Sequence, residues 1–143
     1  MLSAACKDAI RAMIYIAKEN KKEKRFISIK EIAKELNLSF YFLSKILQKL
    51  VKDGFLESYR GPNGGVKLTK DLKDISLLDI IASIDGLDIF TNCILGFEEC
   101  SDEYPCAIHN KWADKRESIY NMFKESTLKD IEEEIEKKMN IKL

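Results

Sequence analysis

Residues 28–69 read SIKEIAKELNLSFYFLSKILQKLVKDGFLESYRGPNGGVKLT, and this stretch decides the fold. Ser28 and Glu31 have the spacing of a capping box, which predicts the start of a short helix, IKEIAKEL. After a two-residue turn, Ser39 can cap a second helix, FYFLSKILQKLVKD. Two short helices joined by so tight a turn predict a helix-turn-helix. Each helix has an apolar face, formed by Ile29, Ile32, Ala33 and Leu36 in the first and by Phe42, Leu43, Ile46, Leu47, Leu50 and Val51 in the second.

A β-hairpin is predicted over residues 55–69, directly after the second helix. Its strands are FLESYR and GVKLT, and the turn-rich GPNGG separates them. A hairpin at this place is a wing, so the stretch predicts a winged helix-turn-helix that binds DNA. Arg60 and Lys67 would bring positive charge to phosphates or to a minor groove, and the glycines of the turn would allow close backbone approach.

Further helices are predicted on both sides of this unit. Apolar positions recur at helical spacing through residues 3–20 and again over 76–86. A long helix returns over residues 109–125, and Thr127 can cap a last, strongly charged segment, LKDIEEEIEKKM. The fold class is therefore mainly α with one small β-hairpin. We divide the chain into a winged helix-turn-helix domain at 1–86, a cysteine-containing loop at 87–108 and a C-terminal helical part at 109–143.

The chain of 143 residues has no net charge, but its two parts differ. Residues 1–80 hold 16 Lys and Arg against 10 Asp and Glu, whereas residues 81–143 hold 8 against 14. This asymmetry favours a front part that binds a polyanion. Because no apolar run of about eighteen residues exists and the first residues include several charges, we expect neither a membrane span nor a signal peptide, and a cytoplasmic protein.

Three of the four cysteines lie close together, at Cys93, Cys100 and Cys106, and His109 follows them. Thiolates together with an imidazole suit an iron–sulfur cluster or zinc. Structural zinc sites normally use ligand pairs two to four residues apart, so the wider spacing here favours the cluster. Unmetallated loop cysteines are the alternative. Cys6 lies on the apolar face of the first helix, which predicts a core residue.

Two further assignments stay open at this point. Cys106 and His109 are close in sequence, as in a nucleophilic-cysteine enzyme, but no oxyanion site or substrate pocket accompanies them, so we do not expect an enzyme. Asp8 lies on a different face of the first helix from Cys6. It would be a hard fourth ligand if the first helix of a partner subunit reached the cysteine loop.

The chain resembles the Rrf2 family of bacterial transcription regulators over nearly its whole length. The segments that resemble it are DAIRAMIYIA, the stretch from SIKEIAKEL to GGVKL, SLLDII, the cysteine trio, CAIHNKW and STLKDI. The resemblance implies a [2Fe–2S] cluster on Cys93, Cys100 and Cys106, with a non-cysteine fourth ligand for which His109 comes before Asp8. It also implies a homodimer that exchanges the long helix, with Trp112, Ile119, Tyr120 and Phe123 at the interface.

The same resemblance implies a mode of DNA binding, with the second helix of the helix-turn-helix in the major groove and the wing at the minor groove. The residues implied are Ser39, Tyr41, Ser44 and Lys45 of the helix and Arg60, Gly61, Pro62 and Gly64 of the wing. Ser44 and Lys45 depart from the iron–sulfur assembly regulators of this family, which resemble one another in having an acidic residue and a glutamine there, so we expect a different operator. The predicted function is a homodimeric DNA-binding repressor that senses redox state, nitric oxide or iron supply. A cluster-free repressor controlled by thiol oxidation or by a partner protein is the alternative.

Overall fold

A computed structural model describes residues 1–138 of the chain. Within this range the structure has six α-helices and one two-stranded antiparallel sheet, and short 3₁₀ turns precede the fourth and fifth helices. The last residue of the predicted charged segment, Met139, lies outside the described range, as do residues 140–143 of the predicted C-terminal part. None of the helices in residues 1–138 is long and apolar enough to cross a membrane. The elements are α1 (Ala4–Lys22), α2 (Ile29–Leu36), α3 (Phe40–Lys52), β1 (Leu56–Tyr59), β2 (Gly65–Leu68), α4 (Leu77–Ile84), α5 (His109–Glu125) and α6 (Leu128–Lys137).

Side-chain caps fix where these helices begin, because the first turn of a helix leaves backbone N–H groups without partners. The hydroxyl of Ser28 accepts from the backbone N–H of Glu31, as the sequence predicts. Ser76 and Thr127 each accept from an aspartate N–H three residues on, and that aspartate returns a bond to the cap. Asn37 ends α2 in the left-handed conformation, which makes the tight turn before α3.

The main hydrophobic core forms around α1, whose buried face meets α2, α3 and the wing. From α3 it receives Leu43, Ile46, Leu47 and Leu50, in agreement with the predicted apolar face. Phe42 was predicted to belong to that face and this is wrong, since its side chain is 39% exposed. Position 42 lies at the edge of the apolar stripe, so its ring is only partly covered.

The wing is tied to the segment before α2 as well as to itself. β1 and β2 pair from Leu56 opposite Leu68 to Tyr59 opposite Gly65. Ile27 adds a third, single-residue bridge, because its N–H and carbonyl both bond to Val66, at 2.8 and 2.9 Å. A Cβ on Gly65 would lie 2.0 Å from the carbonyl oxygen of Ile27. Close packing of two backbones therefore requires glycine here.

Helix α6 returns to the N-terminal part of the molecule. Leu128 is completely buried in the main core, and the backbone of α6 starts beside that of α4 through a bridge between Ser76 and Thr127. The buried carboxylate of Glu132 accepts from Lys21 Nζ at 3.0 Å. The C-terminal part that the sequence sets apart at 109–143 thus contributes a helix to the core of the winged unit.

Candidate nucleic-acid interface and cysteine site

The solvent face of α3 is centred on Tyr41, whose side chain is 79% exposed. Lys45 and Gln48 follow on the same exposed face at helical spacing. Ser39 is occupied as the N-cap of α3, and the Ser44 hydroxyl donates to the carbonyl of Phe40 at 2.7 Å. The structure therefore leaves Tyr41 and Lys45 free on this face, while the hydroxyls of Ser39 and Ser44 bond to the helix itself.

Gln48 is a candidate that the sequence reasoning missed. Its amide can donate and accept, and a glutamine in the major groove can bond to both adenine positions. The signal was present in the sequence, since position 48 is one helical turn beyond Lys45 and lies outside the apolar stripe. Phe40 was also missed, although its ring lies partly exposed beside Tyr41, with centroids 5.6 Å apart.

The turn of the wing carries Arg60, Gly61, Pro62 and Gly64 together at one end of the hairpin. Arg60 is exposed and makes no ion pair with any residue in 1–138. Lys67, predicted as a second free cation, instead bonds to Glu57 at 3.1 Å and lies over the ring of Phe26. A neutralised, packed lysine contributes less to phosphate binding than a free one, so Arg60 is the stronger candidate.

The start of α5 and the cysteine loop bring two of the predicted ligands together. His109, the first residue of α5, is only 3% exposed, and its Nδ1 lies 3.3 Å from Cys100 Sγ. Its Nε2 lies 2.8 Å from a carboxylate oxygen of Asp102. Histidine ligands commonly bond a carboxylate through the second ring nitrogen, which fixes the ring and its tautomer. Asp102 was not singled out from the sequence.

Cys93 and Cys106 form the second pair. Cys93 is buried just after the 3₁₀ turn Asp88–Phe90, and its sulfur faces the backbone N–H of Phe97 and the thiol of Cys106. The hydrogen bond from Phe97, together with those of Leu95, Gly96 and Cys106, lowers the pKa of Cys93. Backbone donors around a sulfur stabilise its thiolate, which is the form that binds metals.

The donors therefore fall into two pairs, Cys100 with His109 and Cys93 with Cys106. Sulfur and nitrogen ligands on one tetrahedral metal lie roughly 3.5 Å apart, for metal bonds of about 2.3 and 2.0 Å. The distance between Cys100 Sγ and His109 Nδ1 is close to that value. No three Cys, His, Asp or Glu side chains anywhere in residues 1–138 converge on one metal ion. Three thiols and one imidazole are donor types that suit an iron–sulfur centre.

Asp8 already has a charged partner within the chain. Its carboxylate pairs with Arg11 of the same helix at 3.0 Å, and the Arg11 guanidinium also donates to the carbonyl of Leu36. Cys6 is fully buried against Leu78 and Phe90, as the sequence predicts. Burial, followed by the neighbouring Asp85 carboxylate, raises the pKa of Cys6 to about 12, so this thiol remains protonated.

Helix α5 is attached to the cysteine loop and to the second, smaller hydrophobic cluster. The indole N–H of Trp112 donates to the carbonyl of Asn92, and Arg116 donates to Thr91. Three residues predicted for a dimer interface contact this cluster within the same chain and are half-buried; they are Ile119, Tyr120 and Phe123. The rings of Tyr120 and Phe90 meet edge to face at 5.3 Å. The interface itself stays a prediction.

A short chain of contacts joins this region to α3. Phe90 belongs to the same cluster as Leu78 and Ile81 of α4. At the other end of α4, the Ser83 hydroxyl donates to Asp53 at 2.5 Å, and Lys49 of α3 pairs with the same carboxylate. The end of α3 is thus bonded to the helix that leads into the cysteine loop.

The sequence of the chain matches the protein-family model for Rrf2 over residues 2–134, and that family is described as an iron-dependent transcriptional regulator. The chain belongs to the Rrf2 family. Its members are transcriptional regulators, which confirms the prediction that the protein is not an enzyme. The six helices with one two-stranded sheet confirm the predicted fold class.

Three proteins illustrate what this Rrf2 regulator is similar to. A protein of Aquifex aeolicus (strain VF5), named as an HTH-type transcriptional regulator, is 33% identical over 125 residues, which are 86% of this chain and 85% of that protein. The HTH-type transcriptional regulator IscR of Vibrio atlanticus (strain LGP32) is 28% identical over 86% of this chain and 69% of its own length. The solved structure of CymR, the global cysteine regulator of Bacillus subtilis, superposes with a TM-score of 0.77 at 28% identity and covers 93% and 96% of the two chains.

Proposed function

We propose that the chain is a homodimeric DNA-binding repressor whose operator affinity responds to a [2Fe–2S] cluster held by Cys93, Cys100, Cys106 and His109. The observation that supports this most is the pairing of the four donors, with Cys100 Sγ 3.3 Å from His109 Nδ1 and Cys93 beside Cys106. When bound, the cluster would supply a centre sensitive to oxidants, nitric oxide and iron supply. Asp8 of a partner subunit is the less favoured fourth ligand.

The proposed DNA contacts use the two surfaces described above. Tyr41 and Lys45 of α3 would meet base edges in the major groove, with Ser39 and Ser44 near the phosphates. The wing would approach the minor groove through Arg60 with Gly61, Pro62 and Gly64. Trp112, Ile119, Tyr120 and Phe123 would add a partner's contacts to those that they make within the chain.

Within the chain, contacts from the cysteine loop to α3 offer a physical route for the response. The loop is bonded to α5, α5 and Phe90 pack on α4, and Ser83 of α4 is bonded to Asp53 at the end of α3. A dimer reads two half-sites about one helical turn apart, so a small shift of α3 loses contacts at both. A coupling of about 1–3 kcal/mol would change operator affinity roughly fivefold to a hundredfold.

A second candidate is a cluster-free repressor controlled by oxidation of its thiols or by a partner protein. It is supported by the similarity to CymR, which is named for cysteine regulation. The two candidates share the DNA-binding face and differ in what the cysteine loop binds.

Anaerobic reconstitution with iron and sulfide distinguishes them. We expect visible absorption and about two irons per wild-type chain, and loss of both in Cys93→Ser, Cys100→Ser and Cys106→Ser. Cys6→Ala is the matched control, since this buried thiol lies outside the donor pairs. His109→Ala and Asp8→Ala, compared side by side, identify the fourth ligand. Operator affinity is then measured with and without the cluster, on DNA recovered by selection from a random-sequence pool.

The outcomes separate the candidates. A wild-type protein without iron or visible absorption, whose operator affinity changes on treatment with peroxide, would refute the cluster and support thiol control. Equal operator affinity of the loaded and cluster-free forms would refute the sensor role while leaving the DNA-binding role intact. For the wing, Arg60→Ala should weaken binding and reduce the salt slope by about one, whereas Lys67→Ala should change the slope less because Glu57 already neutralises Lys67.

A further inference from the structure

The cysteine loop carries negative charge without any balancing charge of its own. Residues 87–108 contain five Asp and Glu and not one Lys or Arg. A lysine or arginine side chain that contacts this loop therefore has to come from another part of the molecule.

Arg116 of α5 supplies such a charge at one sulfur. Its Nη1 lies 3.3 Å from Cys100 Sγ and 3.1 Å from the carbonyl oxygen of Thr91. Among the hydrogen bonds within residues 1–138, the bond from Arg116 to Cys100 is the one that brings a lysine or arginine side chain to a cysteine sulfur. The guanidinium joins two points of the loop that are nine residues apart, and it does so from a helix rather than from the loop itself.

His109 and Arg116 act on the same sulfur from one face of one helix. They are seven residues apart in α5, which is two helical turns. Cys100 Sγ lies 3.3 Å from the imidazole Nδ1 and 3.3 Å from the guanidinium Nη1. The position of Cys100 is therefore set by α5, while Cys93 is set by backbone N–H groups of the loop.

We propose that Arg116 is a positioning residue of the cysteine site, which holds Cys100 Sγ against His109 and places a positive charge beside the ligand set. The inference rests on the proposed function. A guanidinium hydrogen-bonded to a ligand sulfur favours the more negative, reduced state of an iron–sulfur centre, because net charge and hydrogen bonds to sulfur set its reduction potential. Removing that charge should make reduction harder and the site less able to retain iron.

The experiment compares wild type with Arg116→Gln, Arg116→Lys and Lys115→Gln after anaerobic reconstitution. Lys115→Gln is the matched control, because it removes the same charge from the adjacent, exposed position of α5. Three quantities are measured: the reduction potential, the rate of loss of visible absorption in air, and backbone hydrogen exchange of residues 91–102 in the cluster-free chains. The last readout follows the tether between Arg116 and Thr91 without any metal.

We expect Arg116→Gln to shift the potential to more negative values, to lose its absorption several-fold faster and to exchange faster over residues 91–102. Arg116→Lys should recover most of the potential, since it restores the charge, but less of the slow exchange, since a strongly hydrated ammonium on a flexible stem holds its position less firmly than the planar guanidinium. Lys115→Gln should resemble wild type in all three. Equal potentials in wild type and Arg116→Gln, or equal shifts in Arg116→Gln and Lys115→Gln, would overturn the inference alone. A wild-type chain that takes up no iron would overturn the proposed function and this inference with it.

Discussion

Replacing Gly65 by alanine should detach the wing from the segment before α2. The new Cβ would lie 2.0 Å from the Ile27 carbonyl oxygen and 2.7 Å from the backbone nitrogen of Ser28, both of them backbone atoms that cannot rotate away. The bridge between Ile27 and Val66, with its bonds of 2.8 and 2.9 Å, has to break or move apart. The turn that carries Arg60 loses one of its supports as a result.

The cost can be worked out from these contacts. Two backbone hydrogen bonds contribute about 0.5–1.5 kcal/mol each to stability. An alanine held at the Gly65 φ of +154° adds about 1–2 kcal/mol of backbone strain. We therefore expect the free energy of unfolding to fall by about 2–5 kcal/mol, and operator affinity to fall as well at temperatures where the variant is folded.

Gly54→Ala is the matched control for urea unfolding followed by circular dichroism. Gly54 also has a positive φ, of +87°, but an added Cβ there meets nothing within 4 Å. This control should lose only the strain of about 1–2 kcal/mol. If the two variants lose the same stability, the close approach of Gly65 to Ile27 does not constrain the wing and the reasoning is refuted.

Three further outcomes are expected from the fold. Leu128→Ala should lower the free energy of unfolding by about 2–5 kcal/mol in a denaturant titration, because the Leu128 side chain is fully buried in the main core. A loss below about 1 kcal/mol would show that α6 does not pack there in solution. Ser76→Ala should cost about 1 kcal/mol through loss of the N-cap of α4, whereas Ser76→Thr should cost less, and an unchanged midpoint for the alanine variant would contradict the cap. The Arg25 guanidinium, and after it the Tyr15 hydroxyl, lower the pKa of Glu31 below 4.5, so the Glu31 carboxylate stabilises the fold at neutral pH and this contribution is lost as the pH falls below that value. Glu31→Gln should therefore flatten the acid side of a profile of unfolding free energy against pH. An unchanged slope in that profile would argue against the Arg25–Glu31 pair.

Local sequence determined the helices of this protein closely. The predicted helix IKEIAKEL is α2 at residues 29–36, and the long helix predicted over 109–125 is α5 with the same bounds. The caps at Ser28, Ser76 and Thr127 were equally predictable. All these features depend on residues three to four positions apart, so their signal lies within a few letters of the sequence.

The cysteine trio and His109 were also visible in the sequence, but their arrangement was not. Spacing indicated four donors on one loop; the structure groups them into two pairs and adds Asp102 and Arg116 as partners of His109 and Cys100. An arginine sixteen residues from its cysteine leaves no periodic pattern, because the distance between them depends on how α5 packs beside the loop.

Tertiary structure alone decided the remaining features. The bridge between Ile27 and Val66 joins residues 39 positions apart. The return of α6 to α1 brings Lys21 to Glu132, which are 111 positions apart. Such contacts form only after the apolar face of a helix or strand has packed against another element. The apolar pattern of one element does not specify which other element it packs against. The sequence of this protein therefore determined its elements, its winged-helix class and its candidate ligands, whereas the packing of those elements selected which distant side chains meet.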